Sequence, residues 1–316
     1  MIPQPGIRDA ARFAPVLVLA PARSYSSVVS AMVGQHPQLA GLPELKLFCY
    51  ATVGELESSL PRFWSEGKSV AHRSPGLVRA LAEFEFEGQS HASLDRAKAW
   101  LRRRREWTGA AVFDFLMERL EPRAAVEKSP ENVLTDGALG RLASAYPRAR
   151  FLHLTRHPVT TQRSMEEHWN RTLPQPLDGQ PMTGMASWLD VHTRILRFTR
   201  ALPPGQHLRI RAEDFLNCTD AALERIAAWL ELRGDGDAIE AMRHPERSPF
   251  AVFGPAGSGV TGGYDPGFLR DPQPRRVDAP PAVEPPPGWS GHAELWDSVV
   301  ALAAELGYAR AGSAVR

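Results

Sequence analysis

The segment from Pro15 to Ala20 constrains the fold most strongly, because its six residues form an unbroken apolar run. A strand with one solvated face alternates polar and apolar side chains, whereas a run without alternation is typical of a strand buried on both faces. Residues 21–25 then have the composition of a loop, and Ser26 to Gln35 form a predicted helix that ends before Pro37. A buried strand, a loop and a helix in this order predict the start of a parallel α/β sheet.

The same alternation of short strands and helices recurs along the chain. Further strands are predicted at 38–40, Ala124–Glu127, Ala149–Thr155 and His207–Ile210. Helices are predicted to begin at Pro130, with Ser129 as the N-cap, and at Pro158, and another spans Ala221 to Glu231. This order predicts a three-layer α/β fold, in which helices flank a doubly wound parallel sheet.

The 316 residues are enough for one large α/β domain, and we expect a single domain over residues 1–316. Residues 14–54 and 123–250 carry the predicted strands and form its core. Residues 55–122 have helical patterning and many aromatic side chains, which predicts an inserted helical layer that covers the sheet. Residues 251–316 are first glycine-rich, then proline-rich, and end with a predicted amphipathic helix.

Charge and cysteine content exclude several classes of function. The formal net charge of +1 gives no global attraction to nucleic acid or to an anionic membrane. The only cysteines, Cys49 and Cys218, support neither a disulfide framework nor a cysteine zinc site, so no metal is predicted. Residues 1–12 do not resemble a signal peptide, and the apolar run from Phe13 to Ala22 is too short to span a bilayer. We therefore expect a cytoplasmic protein.

Charged residues follow four of the predicted strands: Arg23, Glu44, Lys128 and Arg156. In an open parallel sheet, ligands bind outside the carboxyl ends of the strands. Each residue alone is equally compatible with an ordinary solvated loop. As a set, they predict a site that binds an anion at this end of the sheet.

Two short segments refine that prediction. Residues 22–27 (Ala-Arg-Ser-Tyr-Ser-Ser) combine backbone N–H groups at a helix start with hydroxyls and an arginine, which suits an anion. They lack the lysine of a GxxxxGK[ST] loop, which ranks a magnesium-dependent small-molecule kinase lower. Arg156 and Ser164 could hold a phosphate from two sides. The alternative is a capping arginine and a serine bonded to its own helix.

These segments resemble the sulfotransferases that use 3′-phosphoadenosine 5′-phosphosulfate (PAPS), in particular a bacterial branch whose anion loop is similar to that of tyrosylprotein sulfotransferases. Residues 22–27 match the loop for the 5′-phosphosulfate, and Arg156 with Ser164 matches the motif for the 3′-phosphate. Further matches are His36-Pro37, Lys128-Ser129-Pro130 and Arg211–Phe215. The chain departs from the family pattern at Ala22 (for proline), Tyr25 (for glycine) and Ala212 (for tyrosine).

The resemblance implies a P-loop-like fold and transfer of a sulfuryl group from PAPS, with 3′-phosphoadenosine 5′-phosphate (PAP) as product and no metal. The acceptor would be a hydroxyl or amine of a small molecule, carbohydrate or lipid, and the helical layer of residues 55–122 would cover its site. An alternative is a non-catalytic member that binds PAPS or PAP, which the departures at Tyr25 and Ala212 leave open. The oligomeric state is left open.

The resemblance also assigns roles. Arg23, Ser24, Tyr25, Ser26 and Ser27 would bind the phosphosulfate, and Arg156 with Ser164 the 3′-phosphate.

Of the remaining charged residues, Lys128 would neutralise the sulfuryl or bridging oxygens, and Glu44 would accept the acceptor's proton. His153, His157 and His168 are the rival bases, with roles in the core or at a helix end as alternatives. Two further segments have more than one interpretation. Arg102–Arg105 would form either a solvated face or a site for an anionic acceptor, and Gly254–Gly259 could form a flexible loop that closes over the nucleotide.

Overall fold

The structure is a computed structural model, and it describes residues 14–59, 74–172, 182–278, 280–285 and 292–308. Its centre is a five-stranded sheet in which every pair of neighbouring strands is parallel. The strands are β1 (Val16–Leu19), β2 (Leu39–Gly41), β3 (Ala124–Glu127), β4 (Arg150–Thr155) and β5 (His207–Arg211). Their spatial order is β2-β3-β1-β4-β5. The predicted parallel α/β fold is confirmed.

Helices lie on the sheet and form a separate group between β2 and β3. Before β3 come α1 (Ser26–Val33), α2 (Val53–Ser58), α3 (Pro75–Glu85), α4 (His91–Arg102) and α5 (Gly109–Leu120). After β3 come α6 (Asp136–Ala145), α7 (Pro158–Thr172), α8 (Met182–Arg200), α9 (Ala212–Asn217), α10 (Thr219–Trp229), α11 (Gly236–Met242), α12 (Pro266–Arg270) and α13 (Ala293–Glu305).

Strand β1 is the centre of both the sheet and the core. Leu17 pairs with Glu127 of β3 on one side and with Phe151 of β4 on the other. All four residues of β1 are buried, as the uninterrupted apolar run predicts. Each buried valine or leucine contributes about 1.5–3 kcal/mol. The chain runs from β1 towards β2 on one side and from β4 towards β5 on the other, so the strand order reverses between β1 and β4, where a crevice at the carboxyl ends is expected.

The predicted helix at Pro130 is present only as a 3₁₀ turn, and its predicted N-cap bond is absent. Only a short 3₁₀ turn, Pro130–Val133, follows β3, and the next α-helix begins at Asp136. Ser129 does not cap this turn with its side chain. Its hydroxyl instead donates to the carboxylate of Glu127 and accepts from the backbone N–H of Lys46. The buried carboxylate needs a donor, and this requirement takes the hydroxyl away from helix capping.

The described part of residues 55–122 is mainly helical, as predicted. Its aromatic side chains pack together, with the rings of Trp100 and Phe115 4.6 Å apart. The guanidinium of Arg104 lies 3.9 Å from the centre of the Trp100 ring. The other arginines of the run, Arg102, Arg103 and Arg105, are exposed. Their exposure favours a solvated face.

A buried arginine attaches this helical segment to the C-terminal part of the chain. Arg79 of α3 is fully buried and donates to the side chain of Gln89 at 2.5 Å. It also donates to the carbonyl oxygens of Gly262, at 3.0 Å, and Pro249, at 3.4 Å. Burial lowers the pKa of Arg79 to about 10. The start of the glycine-rich segment is thereby fixed on α3.

The C-terminal helix packs on α8, and the chain beyond it returns to the sheet. The hydroxyl of Tyr308 lies 3.1 Å from the hydroxyl of Thr155 and donates to Glu213 at 3.0 Å. No helix in the described ranges is long and apolar enough to cross a bilayer. The N-terminal residues discussed above, 1–13, lie outside the described residues. The boundaries of the predicted parts of the domain and the cytoplasmic location stay predictions.

Two histidines in the core make the stability of the fold depend on pH. His153 and His192 are fully buried, and their ring nitrogens approach to 3.0 Å. Burial, helped by the positive charge of Arg209, lowers the pKa of His192 to about 3. A lowered pKa means that the folded state favours the neutral form of the histidine. This contribution to stability is therefore complete above pH 6.5 and is lost as the pH falls towards the folded-state value.

We predict that the free energy of unfolding decreases below pH 6.5, by about 1.4 kcal/mol per pH unit for each such histidine. Urea denaturation at pH 7 and pH 5 measures the decrease. His192→Asn should reduce the difference between the two pH values, whereas His91→Asn, at an exposed position, should not. An equal pH dependence in wild type and His192→Asn contradicts the prediction.

Candidate functional site

The carboxyl ends of the strands open into a cavity of about 900 Å³. It is lined by the loop after β1, the ends of β3 and β4, parts of α7 and α8, and the C-terminal segment around α12. The nine residues to which the resemblance assigns roles all line it: Arg23, Ser24, Tyr25, Ser26, Ser27, Glu44, Lys128, Arg156 and Ser164. The geometry therefore brings the predicted residues together, although it leaves their roles to be tested.

The loop after β1 has an unusual backbone. Arg23 and Tyr25 adopt φ angles of 65° and 57°, the left-handed region that side chains other than glycine seldom occupy. This path turns the loop into the N-terminus of α1, whose first backbone N–H groups suit an anion. The hydroxyl oxygen of Ser24 is buried and has no hydrogen-bond partner among the described residues. Such a group in a cavity wall suits a polar ligand.

Tyr25, which replaces the glycine of the family loop, packs against Arg156. The guanidinium carbon of Arg156 lies 4.1 Å from the centre of the tyrosine ring, a cation–π arrangement. Arg156 also donates to the carbonyl oxygen of Arg23 at 2.5 Å and to Thr160 at 3.3 Å. Burial lowers the pKa of Arg156, but an arginine remains charged at neutral pH. The tyrosine thus supports the arginine.

Ser164 of α7 contacts the first loop. The Nε of Arg23 donates to the hydroxyl of Ser164 at 3.1 Å. The two predicted halves of the anion site, the loop after β1 and the start of α7, are therefore hydrogen-bonded to each other. Ser164 and Arg156 both contact the Arg23 residue, one through its side chain and one through its backbone.

Lys128 is buried between the loop after β1 and the segment after β2. It is 1% exposed, donates to the hydroxyl of Ser27 at 3.2 Å, and forms an ion pair with Glu44. Behind Glu44 lies Gly76 of α3, where a Cβ atom would stand 2.2 Å from the carbonyl oxygen of Glu44. Only glycine allows this approach, so the helical segment supports the backbone of Glu44 from behind.

The described residues of the helical segment do not line the cavity. The expectation that residues 55–122 cover an acceptor site stays a prediction. The cavity wall near α7 and α8 is instead formed by Met165, His168 and Ser187.

The three candidate histidines lie in different places. His153 is in the core against His192, and His157 is buried beside the ring of Tyr308. Neither lines the cavity, and burial lowers the pKa of His157 to about 4. His168 does line the cavity. Of the three, His168 is the one within reach of a ligand.

A carboxylate from the C-terminal segment pairs with Arg23, a contact that sequence analysis did not predict. Asp265 forms an ion pair with Arg23, and its backbone N–H donates to Ser27 at 3.1 Å. The same carboxylate caps α12 by accepting from Gly267 at 2.9 Å. Asp-Pro-Gly can be recognised in the sequence as the start of a helix. No sequence pattern indicates an ion pair between residues that are 242 positions apart.

Three exposed arginines were also missed. They line the cavity from the C-terminal segment: Arg270, Arg275 and Arg276. The glycine-rich residues 254–259, which sequence analysis considered as a closing loop, do not line it. Among the described residues, no group of three potential ligands could hold a metal ion.

A model of the sulfotransferase family matches residues 15–236, about 70% of the chain. The chain belongs to the sulfotransferase family. The resemblance identified from the anion loop, Arg156 and Ser164 is therefore confirmed at the level of the family. A search of curated proteins found no match.

Two solved structures have the same fold as this sulfotransferase. A sulfotransferase domain from the curacin biosynthetic pathway is 19% identical, with a TM-score of 0.73. The match covers 95% of this chain and 99% of that domain. A sulfotransferase domain from the olefin synthase of Synechococcus PCC 7002 is 22% identical, with a TM-score of 0.69. The match covers 93% of this chain and 94% of that domain.

Because Asp265 neutralises Arg23, we predict that Asp265→Asn increases the affinity for PAP by about tenfold, the effect of removing one competing charge near the surface. Asparagine also caps helices, so α12 should persist. Calorimetric titration measures the change. Asp235→Asn is the matched control, because Asp235 also caps a helix and pairs with an arginine, Arg233, but does not line the cavity. Equal gains in both variants, or a loss in Asp265→Asn alone, would contradict competition for Arg23.

Proposed function

We propose that this sulfotransferase transfers a sulfuryl group from PAPS to a hydroxyl or amine of a small-molecule, carbohydrate or lipid acceptor. The observation that carries the proposal is the convergence of Arg23, Lys128 and Arg156, from three separate strand ends, on one cavity. PAPS bears a phosphosulfate and a second phosphate, and these need positive charge at two places. A volume of about 900 Å³ is sufficient for the nucleotide and the reacting end of an acceptor.

On the donor side, Arg23, the hydroxyls of Ser24 and Ser27, and the backbone at the start of α1 bind the phosphosulfate. The unpaired hydroxyl of Ser24 supports this assignment. Arg156 binds the 3′-phosphate, the group that distinguishes PAPS from ATP, and Ser164 adds a hydroxyl at the same wall. The exposed arginines of the C-terminal segment add positive charge at the mouth of the cavity.

Two observations weigh against the non-catalytic alternative. A tyrosine at position 25 would argue against function if its ring filled the anion loop. The ring stacks on Arg156 instead. Ala212 is fully buried and does not line the cavity, so its departure from the family tyrosine leaves the anion site intact.

Lys128 and Glu44 supply the chemistry. In sulfuryl transfer, negative charge grows on the bridging oxygen of the leaving nucleotide, while the acceptor loses a proton. Lys128 stabilises the oxygens next to Ser27, and Glu44 receives the proton. Their ion pair keeps both groups in one place before substrates arrive, which reduces the reorganisation that the transition state requires. The ion pair uses Oε1 of Glu44, so the other carboxylate oxygen would receive the proton while the pair stays in place.

Calorimetry with PAP, AMP and ATP in the presence of EDTA tests the donor assignment. Wild type should bind PAP most tightly and without divalent metal. Arg156→Ala should weaken PAP by about 30-fold, because a charge-assisted phosphate contact is worth about 2 kcal/mol, and should affect AMP little. The matched control is Arg150→Ala, at the other end of β4. No PAP binding, binding only with Mg²⁺, or equal weakening of PAP and AMP would contradict the proposal.

Glu44→Gln tests the base. The amide is isosteric and still accepts a hydrogen bond from Lys128, so the affinity for PAP should be kept. Turnover of PAPS should fall by roughly 10²–10⁴-fold, the usual contribution of a positioned base. An acidic acceptor such as 4-nitrophenol should lose less, because it needs less help to lose its proton.

The control is Glu131→Gln, since Glu131 lines the same cavity but pairs with Lys46. Full activity of Glu44→Gln on alcohols, together with an inactive His168→Asn, would assign the base to the histidine.

A further inference from the structure

Two buried carboxylates have no role in the chemistry described so far. Glu127 ends β3 and is 1% exposed, and Glu213 follows β5 and is 4% exposed. Neither lines the cavity. Each nevertheless bonds to the backbone of a segment that carries candidate site residues.

Glu127 ties the segment after β2 to the segment after β3. One of its carboxylate oxygens accepts from the backbone N–H of Leu45 at 3.3 Å and from the hydroxyl of Ser129. The other accepts from the side chain of Asn132 at 3.0 Å. Leu45 directly follows Glu44, and Ser129 directly follows Lys128. The carboxylate therefore bridges the two neighbours of the Lys128–Glu44 ion pair.

The backbone after Glu44 depends on these bonds. Lys46 adopts a φ of 59°, which is unfavourable for lysine, and its N–H donates to Ser129 at 2.9 Å. The N–H of Glu44 itself donates to the carbonyl of Gly263 at 2.8 Å. Without the Glu127 and Ser129 acceptors, the backbone N–H groups of Leu45 and Lys46 lose their hydrogen bonds.

Glu213 does the equivalent at the other half of the site. One oxygen accepts from the backbone N–H of His157, the residue after Arg156, at 2.8 Å. The other accepts from the hydroxyl of Tyr308 at 3.0 Å. The carboxylate thus lies at the N-terminus of the 15-residue helix α7, where a negative charge is favourable. It stabilises the turn between β4 and α7, and this turn contains Arg156.

Burial of a carboxylate costs desolvation free energy, which is unfavourable at a position that serves structure alone. Burial is also the main reason why the pKa of Glu127 rises to about 7. An apolar side chain of similar size would avoid the desolvation cost but would accept none of the bonds described above.

We propose that Glu127 and Glu213 are positioning residues for separate halves of the site: Glu127 for the Lys128–Glu44 pair, and Glu213 for Arg156. The inference rests on the proposed function, in which the first half performs the chemistry and the second binds the 3′-phosphate. Loss of each carboxylate therefore affects a different kinetic quantity.

The test measures PAP affinity by calorimetry and PAPS turnover at saturation in Glu127→Ala and Glu213→Ala. Glu127→Ala should lower turnover by about tenfold or more and leave PAP affinity within about twofold, because displacement of a catalytic pair by a fraction of an ångström costs rate. Glu213→Ala should weaken the binding of PAP by about tenfold and leave turnover at saturation within about threefold. Contacts to the 3′-phosphate stabilise the bound substrate and the transition state equally, so their loss changes affinity and not turnover.

Isosteric variants distinguish positioning from charge. Glutamine keeps a carbonyl oxygen for the N–H of Leu45 or His157, and its amide can face Asn132 or Tyr308, each of which can act as acceptor. Glu127→Gln and Glu213→Gln should therefore restore most of the lost function. Ser129→Ala removes the bond to Lys46 and one bond to Glu127. It should reproduce the Glu127→Ala effect more weakly, even if Glu127→Ala itself does not fold.

Hydrogen exchange gives a readout that does not depend on the donor. The amides of Leu45 and Lys46 should exchange faster in Ser129→Ala and Glu127→Ala, and the amide of His157 faster in Glu213→Ala. Parallel losses of affinity and turnover in both alanine variants, or failure of both glutamine variants to recover, overturn the inference. If wild type binds no PAP, the proposed function fails, while the exchange experiment still decides whether each carboxylate holds its own segment.

Discussion

Positive charge concentrated at one end of a sheet is the constraint on which this structure depends. Arg23, Lys128 and Arg156 lie around one cavity, and two of them are almost fully buried. Like charges repel, and buried charges lose their hydration. The fold offsets both costs internally: Glu44 pairs with Lys128, Asp265 pairs with Arg23, and the ring of Tyr25 faces Arg156. An anionic substrate can replace such partners, so the same arrangement keeps the protein stable and ready to bind.

Neutralisation alone does not orient these groups, and here the buried hydrogen bonds matter. Strand β1 sets the position of the anion loop, because it pairs on both sides within the core. Glu44 and Arg156 lie beyond the last residues of β2 and β4, outside the strand pairing. Glu127 and Glu213 supply acceptors for the backbone N–H groups of the residues directly after Glu44 and Arg156. A rigid centre with two anchored flanks explains how residues far apart in sequence converge at one cavity.

The sequence was informative where local chemistry decides the structure. The apolar run of β1, the alternation of elements and the motifs around Arg23 and Arg156 predicted the sheet and all nine residues named for the cavity. It failed where tertiary neighbours decide. Ser129 was predicted to cap a helix, but the buried carboxylate of Glu127 takes its hydroxyl. Asp265 reaches Arg23 from 242 positions away, and no local pattern encodes that contact.

A crystal structure with PAP bound tests the central claim most directly. The account predicts that the 5′-phosphate contacts Arg23 and the backbone at the start of α1, that the 3′-phosphate contacts Arg156, and that Asp265 has left Arg23. The Lys128 ammonium should face the vacant position next to the 5′-phosphate, with Glu44 on its far side. PAP bound elsewhere, or bound in this cavity with both phosphates away from Arg23 and Arg156, would contradict the account.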